Sequence, residues 1–236
     1  MPAPPFRLLA ISPPEGPIDA ALVDHWAAAG GLDLGLGVLL RQPDTDLSGL
    51  LSAIRRGRLS ALASRCRALG IPLQLSLAAE QIRDFERMRR SEGAIDEFTG
   101  IQLRADPCPR DLQRIRRTLS RACIGRSCHG HAAGTHDLVD YTCVAPIYPP
   151  TTAQRSRVKS AIGLAPLRDW AAQPGARIFA LGGVRPGNAE KCLQAGAWGL
   201  AGIGLFFGDP RRVGEDVAAV TKIFARHPSD VRFLPL

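Results

Sequence analysis

The sequence predicts an α/β protein folded as a single closed (β/α)8 TIM barrel, and three observations predict it. Eight short apolar runs alternate with eight longer segments of helix-like spacing. The alternation extends over most of a chain of 236 residues. No Gly/Ser-rich or Pro-rich linker divides the middle. Strict β/α alternation gives a parallel sheet covered by helices, and eight repeats in about 230 residues is the size of a barrel. One domain is therefore expected over residues 1–236, with its core at about 6–226.

The strand candidates are short apolar runs, most bounded by Gly, Pro or polar residues, and each is paired with the helical spacing that follows it. Phe6–Ile11 leads to Pro17–Ala29, and Leu32–Leu40 to Leu47–Leu69. Ile71–Ser76 leads to Ala79–Arg90, and Gly100–Leu103 to Pro109–Leu119. Ala122–Ser127 leads to His131–Leu138, and Tyr141–Ala145 to Ser160–Ala172. Arg177–Leu181 leads to Gly187–Gln194, and Gly199–Ile203 to Arg211–Arg226. A doubly wound open sheet would also alternate, but the first strand runs into Ser12–Pro13–Pro14 and not into a glycine-rich turn opening a helix. The proline-rich stretch Cys143–Pro150 falls where the loop after strand six belongs.

Composition narrows the function classes. A hydrophobic content of 45% excludes disorder as a description of the whole chain. No window approaches the roughly 20 apolar residues of a membrane helix, and Met1–Pro5 lacks the layout of a secretory signal, so a cytoplasmic protein with no membrane partner is expected. The cysteines, at 66, 108, 123, 128, 143 and 192, are too sparse for a disulfide scaffold and are expected reduced. The net charge of +8 is carried almost wholly by arginine, the lysines being Lys159, Lys191 and Lys222. The basic clusters lie mostly on helix-like segments, and an aromatic content of 6% with no interleaving among them argues against nucleic acid. A phosphorylated small molecule fits the same sign of charge.

In such a barrel the reacting groups project from the carboxyl ends of the strands. Those positions hold Arg41, Arg104, Asp106, Ser127, Cys128, His129, Tyr148 to Thr152, Gly182, Gly183 and Gly204. The glycine-containing ends Ala180–Leu–Gly–Gly–Val184 and Ala201–Gly–Ile–Gly–Leu205 close strands seven and eight, where barrels commonly hold a phosphate on backbone N–H groups. The bland alternative is a tight turn. His129 at the rim of strand five is the acid/base candidate, because an imidazole takes and returns a proton near neutral pH; it could instead only cap the following helix. Cys123, Cys128, His129, His131, His136 and Cys143 invite a zinc reading, but Cys123 lies within a strand candidate and only two residues separate Cys128 from His131. No metal ligand is assigned.

Ile124–Gly–Arg–Ser–Cys–His129, Pro146–Ile–Tyr–Pro–Pro–Thr–Thr152, Ala180–Leu–Gly–Gly–Val184 with Asn188, and Ala195–Gly–Ala–Trp–Gly–Leu–Ala201 together resemble the thiamine phosphate synthase and TenI family. The resemblance is strongest from Gly100 to Phe207 and weaker, though collinear, from Phe6 to Gln74. It implies a barrel that binds a phosphorylated thiazole, with Gly182, Gly183, Ile203 and Gly204 on the phosphate, Thr151 and Thr152 flanking the heterocycle, and Arg41 and Ser127 lining the cleft. A homodimer is a family-level expectation.

The departures from the family pattern choose between its activities. The synthase branch condenses an aminopyrimidine diphosphate with the thiazole phosphate and needs magnesium. Its Arg-Glu-Lys after strand two is Arg41–Gln42–Pro43 here, its Asn-Asp pair is Ser76–Leu77, and its next aspartate falls at Pro107 with Asp106 one place off. The lysine after its Thr-x-Thr loop is Ala153, with Arg155 or Lys159 near enough to compensate. The TenI branch, a thiazole tautomerase, needs neither diphosphate nor metal, and Gln102–Leu103 and the run ending in His129 are closer to it. The resemblance thus implies a metal-independent proton transfer by His129 that aromatises a thiazole carboxylate phosphate, with no cofactor. Thiamine phosphate synthase is the enzymatic alternative, with magnesium, and a non-catalytic phosphate-ligand binder is the other.

Overall fold

A computed structural model describes residues 3–92, 97–129, 136–150 and 160–227. Eight parallel strands close on one another in sequence order: β1 (Leu8–Ile11), β2 (Leu36–Leu40), β3 (Leu73–Leu77), β4 (Gly100–Leu103), β5 (Cys123–Cys128), β6 (Tyr141–Val144), β7 (Ile178–Leu181) and β8 (Gly199–Gly202). Leu8 pairs with both Leu36 and Leu200, so β1 seals the ring. The helices among the described residues are α1 (Leu22–Ala28), α2 (Leu47–Arg55), α3 (Ser60–Ala68), α4 (Ile82–Glu92), α5 (Pro109–Thr118), α6 (Leu164–Ala171), α7 (Pro186–Gln194) and α8 (Pro210–Arg226). The protein is a single (β/α)8 TIM barrel, as expected.

Two expected helices differ. The segment Leu47–Leu69 is two helices, because the chain folds back at Gly57, where a Cβ would lie 2.8 Å from the Cα of Ala53. The break lets Leu59, Leu62, Ala63 and Cys66 bury alongside Leu47, Leu50, Leu51 and Ile54. Asp46 starts α2 by accepting from the Gly49 N–H at 2.8 Å. Of the expected helix His131–Leu138, the described part is only a 3-10 turn, His136–Leu138; the remainder lies outside the described residues.

Strand alternation sorts the side chains into two layers. Leu8, Ala10, Val38, Leu40, Leu73, Leu75, Ile101, Leu103, Ile124, Ile178 and Leu200 face the helices. Leu9, Ile11, Leu39, Tyr141, Cys143, Phe179 and Ala201 fill the interior with Phe6. The lower interior is an aromatic plug, with ring centroids 5.4 Å apart for Phe6 and Tyr141 and 5.2 Å for Tyr141 and Phe179. Glycine makes room for it: a Cβ on Gly125 would lie 2.1 Å from the Tyr141 ring, and one on Gly199 2.4 Å from that of Phe179. Above the plug, toward the carboxyl end, stand Ser76, Gln102 and Ser127, while Gln74 lies a layer lower and donates to the Thr99 Oγ1 at 2.9 Å.

Candidate active site

Just below the carboxyl rim the interior turns polar. Gln102 and Ser76 are buried and face each other across β4 and β3. The Gln102 amide donates to the Ser127 Oγ at 3.0 Å, and the Cys143 thiol approaches the Gln102 Oε1 at 3.8 Å. The hydrogen-bonded Gln102 and Ser127 set each other's orientation at little cost, since each has the other as a partner. Continuing the alternation of Gly125 and Ser127 places His129 on the inner register, at the rim.

His129 is gripped by the loop after β4. Asp106 accepts from the His129 backbone N–H through Oδ1 at 3.2 Å, and its Oδ2 lies 3.1 Å from Nδ1 of the imidazole. The ring is half-buried and the carboxylate exposed. Cys128 points the other way, and burial raises its thiol to about 12, opposed by Arg126 and reinforced by a hydrogen bond to Asp106. A thiol so shifted stays protonated near neutral pH and is no nucleophile. Arg126, between Ser127 and Gly125, also faces outward, over the Trp170 ring at 5.1 Å.

Arg41 follows β2, and its backbone is bracketed by Ser12, whose Oγ accepts from the Arg41 N–H at 2.9 Å and donates to its carbonyl at 3.3 Å. Burial depresses the Arg41 guanidinium below its ordinary value, and the charges of Arg104 and Arg58 push the same way. Arg104 is held by Gln81 Oε1 at 3.1 Å, and Arg58 by Gln42 Oε1 at 3.1 Å and the Pro13 carbonyl at 2.7 Å. A partly desolvated cation beside two others gains most from an anion. The electrostatics of the β2 and β4 ends thus favour a negatively charged ligand group.

The ends of β7 and β8 lie side by side. Gly182 and Gly183 have φ of +91° and +62°. A Cβ there would lie 2.7 Å from Pro146 and 2.4 Å from the Pro149 carbonyl oxygen, so both glycines are required by packing of the loop after β6 as well as by backbone conformation. The turn reading and the phosphate reading are therefore compatible. Among the described residues, the N–H groups of Gly182, Gly183, Ile203 and Gly204 donate to no backbone carbonyl. Asn188 holds the turn by donating to the Gly183 carbonyl at 2.9 Å while accepting from Arg185 N–H at 2.9 Å. Thr151, Thr152, Ala153, Arg155 and Lys159 lie outside the described residues.

The structure therefore places Arg41, Ser127, His129, Gly182, Gly183, Ile203 and Gly204 at the carboxyl end of one barrel. Sequence reasoning missed that Asp106 partners His129, having treated it as a displaced metal aspartate. Its available signal was an Asp beside a loop proline, a residue type that tolerates left-handed backbone. The magnesium of the synthase branch does not fit the side chains present: Leu77 is buried among aliphatic groups, Pro107 has no side-chain oxygen, and Asp106 is engaged by His129.

Fold and rim together define a closed (β/α)8 barrel with its candidate site at the carboxyl ends of the strands. The family model described as thiamine monophosphate synthase matches residues 97–206, which span β4 to the end of β8. Over that segment, a little under half of its length, the chain is similar to the thiamine phosphate synthase/TenI family. A curated relative from Geobacter sulfurreducens, "Putative thiamine-phosphate synthase", is 33% identical over 90 residues, a match spanning 37% of this chain and 41% of the relative. Among solved structures, a thiamine phosphate pyrophosphorylase from Pyrococcus furiosus superposes with a TM-score of 0.62 at 17% identity, covering 94% of this chain and 96% of its own. Tryptophan synthase from Mycobacterium tuberculosis also reaches 0.62, at 15% identity over 92% of each chain. These two structural likenesses show the fold alone.

Proposed function

We propose that the protein is a metal-independent thiazole tautomerase of thiamine biosynthesis, acting on a phosphorylated thiazole carboxylate. The observation that carries the reading is the imidazole of His129 at the rim of β5, oriented by the carboxylate that follows β4. One group serving as base and then as acid suffices for a proton shift. The N–H groups of Gly182, Gly183, Ile203 and Gly204 receive the phosphate. Arg41, with Arg104 and Arg58 behind it, faces the carboxylate, and Ser127 and the Gln102 amide bound to it border the ring. Thr151 and Thr152 flank the heterocycle on the strength of the resemblance. Anchoring both ends of the substrate holds its acidic carbon within reach of one imidazole, which is where the rate gain arises.

The test is conversion of the thiazole carboxylate tautomer to its aromatic form by purified protein in EDTA. His129→Ala should reduce kcat by a hundredfold or more while ligand affinity changes little. Turnover unaffected by His129→Ala overturns the assignment. Binding without any turnover favours the non-catalytic reading. A second enzymatic reading, thiamine phosphate synthase, is favoured by the three guanidiniums at the β2 and β4 ends, which suit a diphosphate. Magnesium-dependent condensation of the pyrimidine diphosphate with thiazole phosphate would decide for it.

A further inference from the structure

The loop from β4 to α5 spends backbone strain on one side chain. Ala105 and Asp106 have φ of +62° and +46°, neither is glycine, and they are consecutive. Such a pair persists only where the surroundings over-determine it, and strain of this kind gathers at functional sites. The carboxylate it presents caps no helix, since α5 opens at Pro109 behind Cys108. It accepts instead from the backbone of His129 and faces the ring of the same residue, at 3.2 and 3.1 Å. A second group, the Cys128 thiol, completes its coordination. Both grips fall on the end of β5, and the contact at Nδ1 orients the ring relative to the rim.

We propose that Asp106 is a positioning residue that accepts the Nδ1–H of His129 and fixes the neutral imidazole with its lone pair on Nε2. The tautomer is independent of what the protein turns over; the catalytic consequence rests on the tautomerase reading. There the substrate C–H bond breaks, its proton goes to Nε2 and its electron pair enters the conjugated ring. The imidazolium then returns that proton from Nε2 to another carbon of the conjugated system, with no net change in protons or electrons. Through both steps Nδ1 keeps its proton and Asp106 faces the transient positive charge.

The experiment is long-range 1H–15N NMR of protein labelled with 15N-histidine, the His129 ring assigned by its loss in His129→Gln. The expected wild-type spectrum shows neutral His129 protonated on Nδ1; Asp106→Ala should shift it toward the Nε2–H form that free imidazoles favour. Asp106→Asn keeps size and one acceptor oxygen, and should retain the wild-type melting temperature within a few degrees while losing kcat tenfold or more at near-constant KM. A wild-type Nε2–H tautomer, or a tautomer indifferent to both substitutions, overturns the proposal. Absence of thiazole turnover with the Asp106-dependent tautomer intact would instead overturn the proposed function and leave the positioning role standing.

Discussion

The Gln102 amide nitrogen lies 3.0 Å from the Ser127 Oγ, a hydrogen bond between neighbouring strands one layer below His129. It ties the floor of the site to the strand that ends in the imidazole. Gln102→Leu keeps approximate volume and removes donor and acceptor together, leaving Ser127 and the Cys143 thiol without this partner. A loss of about 1–2 kcal/mol in urea unfolding is expected, with a larger effect on ligand affinity than Ser127→Ala produces.

Gly183 and Gly204 should separate packing from ligand binding. Gly183→Ala places a Cβ at a positive φ and against the Pro149 carbonyl, so it should lower stability by about 1–3 kcal/mol whether or not phosphate binds. Gly204 is exposed and free of positive φ. Gly204→Val should leave the melting temperature nearly unchanged and weaken binding of the phosphorylated thiazole about tenfold by calorimetry. Equal effects of both substitutions on binding and melting would sink the phosphate assignment to these strand ends.

Asp140 is buried beside β6, where its Oδ2 accepts from Arg116 at 2.6 Å and from the Ile124 N–H at 2.7 Å. Asp140→Ala removes the counter-charge of a mostly buried guanidinium, which keeps the Leu138 and Ala122 carbonyls, and takes the partner from a backbone donor of β5. Stability should fall by about 3–5 kcal/mol, read from denaturant midpoints. The reciprocal Arg116→Leu should cost less, because the carboxylate keeps its bond to Ile124.

Alkaline pH should destabilise the fold through its thiols. Burial raises Cys66 and Cys143 to about 12 and Cys192 to about 11, from an ordinary 9.0. Their folded values lie above the unfolded one, so the stabilisation is complete below about pH 9 and is lost as pH rises toward 11 to 12. The unfolded chain releases protons there that the folded chain retains, giving a slope near 1.4 kcal/mol per pH unit for each such thiol. Urea midpoints between pH 8 and 11 check this. At pH 8 a disulfide reagent should label exposed Cys108 well before these three.

Much of this protein is legible in its sequence because the determining forces are local. Alternation of apolar runs with helical spacing specifies eight strands, and Gly100–Leu103 and the starts of β6 and β8 fall where the runs place them. The rim positions of Arg41, Ser127 and His129 follow from strand ends, since a parallel barrel points every strand the same way. Helix boundaries were less legible: Gly57 breaks a segment whose composition reads as one helix, because the break answers to packing against the barrel. Asp106 and His129 are 23 residues apart and carry no shared pattern; only pairing β4 beside β5, plus two left-handed residues, brings carboxylate to imidazole. The same holds for Arg104, which the alternation assigns to a different unit from Arg41 and Arg58. The sequence by itself determined the barrel and which residues stand at its mouth, through periodicity and strand direction. Which of them touch was decided by tertiary structure, because side-chain partnership depends on register and loop conformation that no local pattern encodes.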